Sequence, residues 1–494
     1  MPSNRKAART HRFSRAEVEL RFDATINKTL GEIDIKGVLD GKQSNKGMAG
    51  AVFEQSVLGY PPDSRQEPDL EIDGVPTELK VTGLIESKRN RQGWRAKEPM
   101  SITAVSPDAL VKEEFFTSAF WDKVEHLLIV YYLYVKPGEG VRYAQWATFE
   151  VKGYEFHEWD EVDIQRLKAD WEMVQGFVRF ALEHGREEWL PRLSTDINSQ
   201  LLLIDTSPKY PNPPRFRFKN SFVTAIASAH FGGRRRESES VRSMRELEGC
   251  LARYAGLHAG KTLREIAYDL GVAIAESDKT GKSVVGQILV RMFTGRSGKV
   301  NSIPLFKKAS IEFKSVVLTS RGGRTEDMKL EPSIDFDEVL NRDAVFEDTA
   351  FGSRFIDSSI VCAVFQEPVD NCELADVVFL GFKRLWLGVL EDEAKALWDS
   401  VRSLIFEGRL RDVPELKKDG SPRYTPKTNV PSTAPNWPKS RDGNLFLRGT
   451  GADAQDKCLV INGVRMYRQN IWVKGKWVVD HLREHDFLEI DGKA

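Results

Sequence analysis

The stretch PDLEIDGVPTELK, Pro68 to Lys80, holds an aspartate, a turn signal, and then a glutamate and a lysine one residue apart. An Asp-Gly step between two extended segments favours a two-residue turn with positive φ and sets the register of both strands. In that register Ile72 faces Val75, and Asp69 faces Glu78. Directly opposed residues of an antiparallel pair have Cβ atoms about 5 Å apart, and two like charges there destabilise the sheet unless a cation lies between them. Side chains alternate along a strand, so Glu78 and Lys80 share one face while Leu79 and Val81 enter the core on the other. Pro76 cannot donate to a ladder and points to an edge or a bulge near the turn.

With 494 residues, the chain is expected to form two or more domains. Its 41% hydrophobic and 29% charged residues describe a folded protein, and its longest apolar runs, such as Leu127 to Val135, are too short to cross a bilayer. The N-terminus has no apolar signal core, so a cytoplasmic location is expected. Cys250, Cys362, Cys372 and Cys458 are widely spaced with no CxxC pair, which supports neither a disulfide framework nor a zinc site. A net charge of -1 argues against a general polyanion binder, although RKAARTHRFSR (Arg5 to Arg15) and GGRRR (Gly232 to Arg236) are local basic clusters.

The first half reads as mixed α and β: helical patterns near Ser14 to Asn27 and Met48 to Leu58, the hairpin, an apolar strand His126 to Val135, a charged helix Val162 to Glu183, then FRFKNSFVTAIASAHF (Phe216 to Phe231). The basic stretch after it, Gly232 to Glu239, reads as a linker, which predicts domains at 1–235 and 236–494. The second half repeats the order. TGKSVVGQILVRMFTG (Thr280 to Gly295) resembles NKGMAGAVFEQSVLGY (Asn45 to Tyr60), SIEFKSVVL resembles TELKVTGL, and Asp376 to Gly388 supplies an apolar strand region. EAKALWDSVRSLIFEG resembles RLKADWEMVQGFVRFA, and MYRQNIWV (Met466 to Val473) resembles FRFKNSFV. Five segments in one order indicate a diverged tandem duplication. The second copy keeps Glu312 and Lys314, but Val290 stands at the position of Glu54 and Ile303 at that of Asp69.

In the first copy Glu54 falls on the apolar face of its helix, where a carboxylate is costly to bury without a partner. A hard divalent cation would satisfy Glu54, Asp69 and Glu78 together, and one held by few carboxylates plus water and phosphate oxygens describes Mg²⁺. Such an ion activates water and neutralises charge on a phosphoryl oxygen, with Lys80 placed to orient or deprotonate the water or hold the developing charge. A lone Glu-x-Lys is more often a solvated ion pair. Asp69 across the turn and Glu54 on an apolar face shift the reading to phosphodiester hydrolysis.

Asp69 followed by Glu78-Leu79-Lys80 matches the PD-(D/E)xK nuclease pattern. The surrounding order resembles a narrower group, the mismatch-repair nicking endonuclease MutH and the Sau-type restriction endonucleases that cut at GATC. The segments that carry the likeness are NKG before the helix with Glu54, the ELK strand, DKVEHLLIV (Asp122 to Val130), DWE in a helix and FRFKNSF, across most of residues 40 to 231. The resemblance implies metal ligation by Glu54, Asp69 and Glu78, catalysis by Lys80, an additional active-site lysine at Lys123, and DNA contacts from Lys46, Gly47, Arg215, Arg217 and Lys219. It implies two tandem α/β restriction-endonuclease-like domains, the first cutting double-stranded DNA with Mg²⁺ and the second a silent DNA-binding or effector unit. The partners it implies are DNA, with a transient dimer of the chain left open, and a cognate DNA methyltransferase. The departure is Pro76-Thr77, which lengthens the step from turn to ELK.

TGKS (Thr280 to Ser283) lacks the first glycine of a phosphate-binding loop, since Glu276 stands five positions before Gly281. HLREH (His481 to His485) lacks the glutamate of a zinc protease, and Trp121, Trp171 and Trp398 fall in apolar periodic segments that read as core. The expected function is a type II restriction endonuclease. Its rivals are a methylation-sensing nicking enzyme and a non-cleaving DNA-binding regulator.

Overall fold

Asp73 and Gly74 both take positive φ, 49° and 83°, which closes the tight turn the dipeptide predicts. Strands β2 (Leu70–Ile72) and β3 (Val75–Glu86) pair antiparallel with Ile72 opposite Val75, Glu71 opposite Pro76 and Leu70 opposite Thr77. Pro76 leaves this register intact. Next to a two-residue turn it occupies a pair without ladder hydrogen bonds, and on its other side the next ladder starts only at Glu78, so its missing N–H interrupts nothing.

The computed structural model describes residues 11–40, 47–61, 67–86, 94–134, 145–206, 213–232, 241–274, 283–294, 303–324, 326–331, 333–417, 419–424, 429–451 and 454–489. Two compact units emerge: 1–247 with 302–311, and 248–301 with 312–494. The division is not a single cut. Ser302–Ile311, late in the sequence, belongs to the first unit, and the linker expected at 232 to 239 lies almost wholly outside the described residues.

In the first unit a sheet runs β1 (Arg12–Phe13), β2, β3, β6 (Leu127–Leu133), β7 (Glu150–His157), with β4 (Trp94–Ala96) also paired to β3. β3 and β6 are parallel, whereas β6 and β7 are antiparallel, so the sheet is mixed. One face carries Leu79, Leu128, Val130 and Tyr132 into a core with Val18, Phe22, Val52 and Phe53. The helix Arg15–Asp23 supplies Val18 and Phe22, and the Ser14 hydroxyl caps its start by accepting from the Glu17 N–H. A second sheet sets β9 (Arg215–Phe218) between β5 (Met100–Ala104) and β8 (Ile204–Asp205). β9 leads into the helix Asn220–Gly232. Against that helix packs Pro304–Lys308, the helix contributed by Ser302–Ile311.

The second unit has β10 (Ile311–Leu318), β12 (Ser359–Gln366) and β13 (Val378–Trp386) in one sheet. Another sets β19 (Gln469–Val473) between β11 (Met328–Lys329) and β16 (Leu445–Gly449). Two ribbons complete it, β14 (Asp412–Pro414) with β15 (Thr433–Pro435) and β17 (Leu459–Ile461) with β18 (Val464–Met466).

The duplication is visible in matched contacts. Phe115 packs on Trp171 at 5.8 Å between ring centres, and Phe346 on Trp398 at 6.4 Å. Four residues past each tryptophan a side chain caps carbonyls: Gln175 donates to Leu110 and Glu113, Arg402 to Val339 and Asn341. All three tryptophans expected in cores are buried. One sequence pairing shifts. The N–H of Lys219 donates to the Leu203 carbonyl at 2.9 Å and that of Lys474 to the Asn444 carbonyl at 2.9 Å. Met100 faces Phe218 as Met328 faces Val473, so FRFK (Phe216 to Lys219) corresponds to IWVK (Ile471 to Lys474). Strand register overrides the local likeness to MYRQNIWV, because slipping it would turn a strand's core face outward.

Candidate active site

β3 presents Glu78 and Lys80 on the face opposite Leu79. In the parallel register Glu78 lies beside Leu127 and Lys80 beside Ile129. Glu78 is 2% exposed, a burial that a carboxylate tolerates only when paired. Both its oxygens are paired. Lys80 Nζ lies 2.7 Å from Oε1 and Lys123 Nζ 2.7 Å from Oε2. Lys123 also donates to the Glu67 carbonyl at 2.6 Å. It comes from the helix Ala119–Val124, fixed at its start by Ser118, whose hydroxyl accepts from the Trp121 N–H. Lys80 is the more accessible of the two, its side chain 19% exposed against 9% for Lys123.

Asp69 sits across the hairpin, and its Oδ2 accepts the Leu79 N–H at 3.0 Å. Burial first, and the charge of Glu78 second, push its carboxyl up to about 6, against the opposing pull of Lys80 and Lys123. A carboxylate held up in this way has an electrostatic need for a cation, and its hard oxygens suit Mg²⁺. Among the described residues no three His, Cys, Asp or Glu side chains form a group that could hold a metal ion. The three-acid set expected from the sequence is therefore not assembled: Asp69 and Glu78 come together, and Glu54 does not join them in one group. Glu54 is half-buried on the π-helix Phe53–Leu58, a rare local geometry that recurs at functional sites. A route of contacts runs from it to Asp69. The Glu54 carbonyl accepts the Gly59 and Tyr60 N–H groups, the Tyr60 ring stacks on His11 at 4.0 Å, and His11 Nδ1 lies 3.2 Å from the Asp69 carbonyl.

The proposed DNA contacts divide. Arg215 is at the surface, its Nε donating to Ser101 Oγ at 2.8 Å. Arg217 and Lys219 are buried, Arg217 paired with Asp205 at 2.9 Å and Lys219 donating to the Leu201 carbonyl at 2.6 Å. Alternation puts Arg217 on the same face as the exposed Arg215, but Asp205 on the adjacent strand β8 lies opposite Arg217 and claims it, which the basic pattern of FRFK does not reveal. Gly47 precedes the helix Met48–Val52, and Lys46 lies outside the described residues. HLREH falls on the helix Gly475–Glu484, where His481 stacks on Trp477 at 3.8 Å. Thr280, Gly281 and Lys282 of TGKS also lie outside the described residues.

A residue the sequence reading missed is Arg354. It follows the capping Thr349 by five positions, as Lys123 follows Ser118, and ends on Glu312 as Lys123 ends on Glu78. The signal was present: FFTSAFWDK and FEDTAFGSR align without a gap.

Residues 58–166 match the family model of the DNA mismatch repair enzyme MutH. The match spans the hairpin, β3, Lys123 and β6, the elements that build this centre. Over these residues the chain is similar to the MutH family. It is 22% identical over 410 residues to the type II restriction enzyme Sau3AI of Staphylococcus aureus, which covers 78% of this chain and 80% of that protein. An alignment of 410 residues cannot fit within residues 1–247, so the likeness to this relative continues into the second unit. No described helix is long and apolar enough to cross a membrane.

The raised Asp69 carboxyl gives a pH prediction. The folded state holds this proton more tightly than the unfolded chain, so stability of the metal-free protein falls as pH rises from about 4 to about 6. A cation competes with the same proton. Mg²⁺ affinity should therefore rise about tenfold per pH unit up to about pH 6 and level off above it. Calorimetric titration at pH 5, 6 and 7.5 measures this, and a pH-independent affinity would remove Asp69 from the metal site.

Proposed function

We propose that the chain is a Mg²⁺-dependent type II restriction endonuclease that cuts both strands of DNA at a short specific site, GATC by its family resemblance. The observation that carries the reading is a buried glutamate with a lysine on each oxygen and an aspartate facing it across a tight hairpin. Asp69 and Glu78 would hold the metal, and Glu54, on its π-helix, stands outside that pair. A Mg²⁺ ion bound there would supply an activated water and offset charge on the phosphoryl oxygens. Lys80, the more accessible lysine, orients or deprotonates the attacking water or holds the developing charge. Lys123 fixes the rotamer of Glu78 from behind, since its ammonium is tied to both Glu78 and the Glu67 carbonyl. Hydrolysis leaves a 5′-phosphate and a 3′-hydroxyl, as in the PD-(D/E)xK superfamily.

The second unit is the silent copy in this reading. Glu312 and Lys314 persist on β10, but the described residues show no antiparallel hairpin partner before that strand. Ile303 instead stands at the N-cap position of the helix Pro304–Lys308. Among the described residues none stands where Asp69 stands in the first copy, which supports reading the second copy as silent. Its role is DNA binding and, as an effector, raising activity at the first centre. Incubating unmethylated plasmid with the protein, with and without Mg²⁺, tests the reading: linear fragments are expected only with the ion. Nicked circles would point to the strand-nicking rival, and unchanged plasmid to a non-cleaving regulator.

A further inference from the structure

The second unit keeps a position-matched centre whose chemistry has changed. Glu312 is 6% exposed and is shared by Lys314 and Arg354. Arg354 replaces a lysine with a guanidinium whose side chain is only 10% exposed, and its Nε is buried with no hydrogen-bond partner. A third cation joins them. β10 ends in a turn in which the Thr319 N–H donates to the Gly323 carbonyl, and the chain returns with Arg324 beside Lys314. Arg324 donates from Nε to the Glu326 carbonyl at 2.7 Å, while its Nη1 is likewise buried with no hydrogen-bond partner. The other groups facing Lys314 are Glu331, itself paired with Lys329 at 3.0 Å, and the buried Cys362, whose thiol burial pushes up to about 12. Two buried guanidinium donors left without acceptors are unusual and call for one. A metal ion would meet three cations here and one committed carboxylate. A phosphate would meet fixed donors of the kind arginine presents to it.

We propose that the second centre is a phosphate-binding site, taking a backbone phosphate of duplex DNA on Lys314, Arg324 and Arg354 without a divalent cation. The inference rests on the reading of the second unit as a DNA-binding copy, and it specifies what that copy grips and where. Side-chain charge takes the place of the cation that the first centre would hold, so this unit binds DNA in the absence of Mg²⁺ and cannot cut it.

The full-length chain in EDTA is mixed with a labelled target duplex, and anisotropy is followed across a salt series. Arg324→Met changes a half-buried side chain that donates to a backbone carbonyl and should keep the wild-type melting temperature, whereas Lys314→Met strips a cation from the buried Glu312 and should melt lower, so its binding is read well below that midpoint. Each should flatten the slope of log affinity against log salt by about 0.9, the signature of one lost phosphate contact. A second measurement reads the metal directly. Mn²⁺ titrated into an Asp69→Asn/Glu78→Gln double variant should find no remaining site. Wild-type slopes in both methionine variants would overturn the proposal, as would Mn²⁺ uptake that disappears on adding Glu312→Gln. A wild-type chain that cuts plasmid while giving either of those results would leave the nuclease reading standing and remove only this one.

Discussion

Asp69→Asn and Glu78→Gln should each lower the rate of DNA cleavage about a thousandfold or more while duplex binding in EDTA stays within a few fold of wild type. The size follows from the several kcal/mol of charge stabilisation a catalytic metal supplies, at about 1.4 kcal/mol per tenfold in rate. The two variants should differ in the apo protein. Glu78→Gln removes the neighbouring charge that helps to raise Asp69, so the Asp69 carboxyl should titrate lower. It also strips the carboxylate from two lysines, one of them buried, and leaving a buried charge uncompensated costs about 3–5 kcal/mol. Asp69→Asn keeps both ion pairs and relieves a repulsion. Glu78→Gln should therefore melt well below wild type and Asp69→Asn at or above it. Plasmid cleavage at a wild-type rate by either variant would remove the metal assignment.

A fragment ending at residue 235 should fold poorly even though it contains every candidate catalytic residue. Arg166 is fully buried and donates to Asp163 at 2.9 Å and to the Val241 carbonyl at 3.0 Å. Asp163 also receives Lys308 Nζ at 2.5 Å, and Ser221 donates to the Lys308 carbonyl at 2.7 Å. Truncation at 235 deletes Val241 and Lys308 together and strands part of this network, a loss of about 3–5 kcal/mol. It also removes Leu305 and Phe306, each 1% exposed, worth about 1.5–3 kcal/mol apiece. Such a loss is comparable to the whole stability of many domains. Urea unfolding of residues 1–235 against residues 1–311 measures it. Equal midpoints would mean that the Pro304–Lys308 helix is an ornament of the first unit. The complementary fragment beginning near Glu237 carries that helix away from its partners and should bind apolar dyes through the exposed Leu305 and Phe306.

The hairpin, the shared face of Glu78 and Lys80, the placement of Leu79 in the core and the repeat of the whole order in the second half were all determined by the sequence itself. These are local matters: an Asp-Gly turn fixes the register, strand alternation fixes the faces, and periodic apolar residues fix the helices. What only the tertiary structure decided depends on residues far apart in the chain. Lys123 meets Glu78 across 45 positions, and no spacing rule reports such a contact. Arg217 and Lys219 look like a basic strand in sequence, yet Asp205 and the Leu201 carbonyl claim them, because burial of a cation depends on which strand lies alongside. The three acids do not form one group, since Glu54 rides a π-helix whose turn is set by packing rather than by local preference. The most consequential decision is the capture of Ser302–Ile311 by the first unit. Buried apolar side chains and a shared ion-pair network made that choice, and neither leaves a mark in the order of the residues.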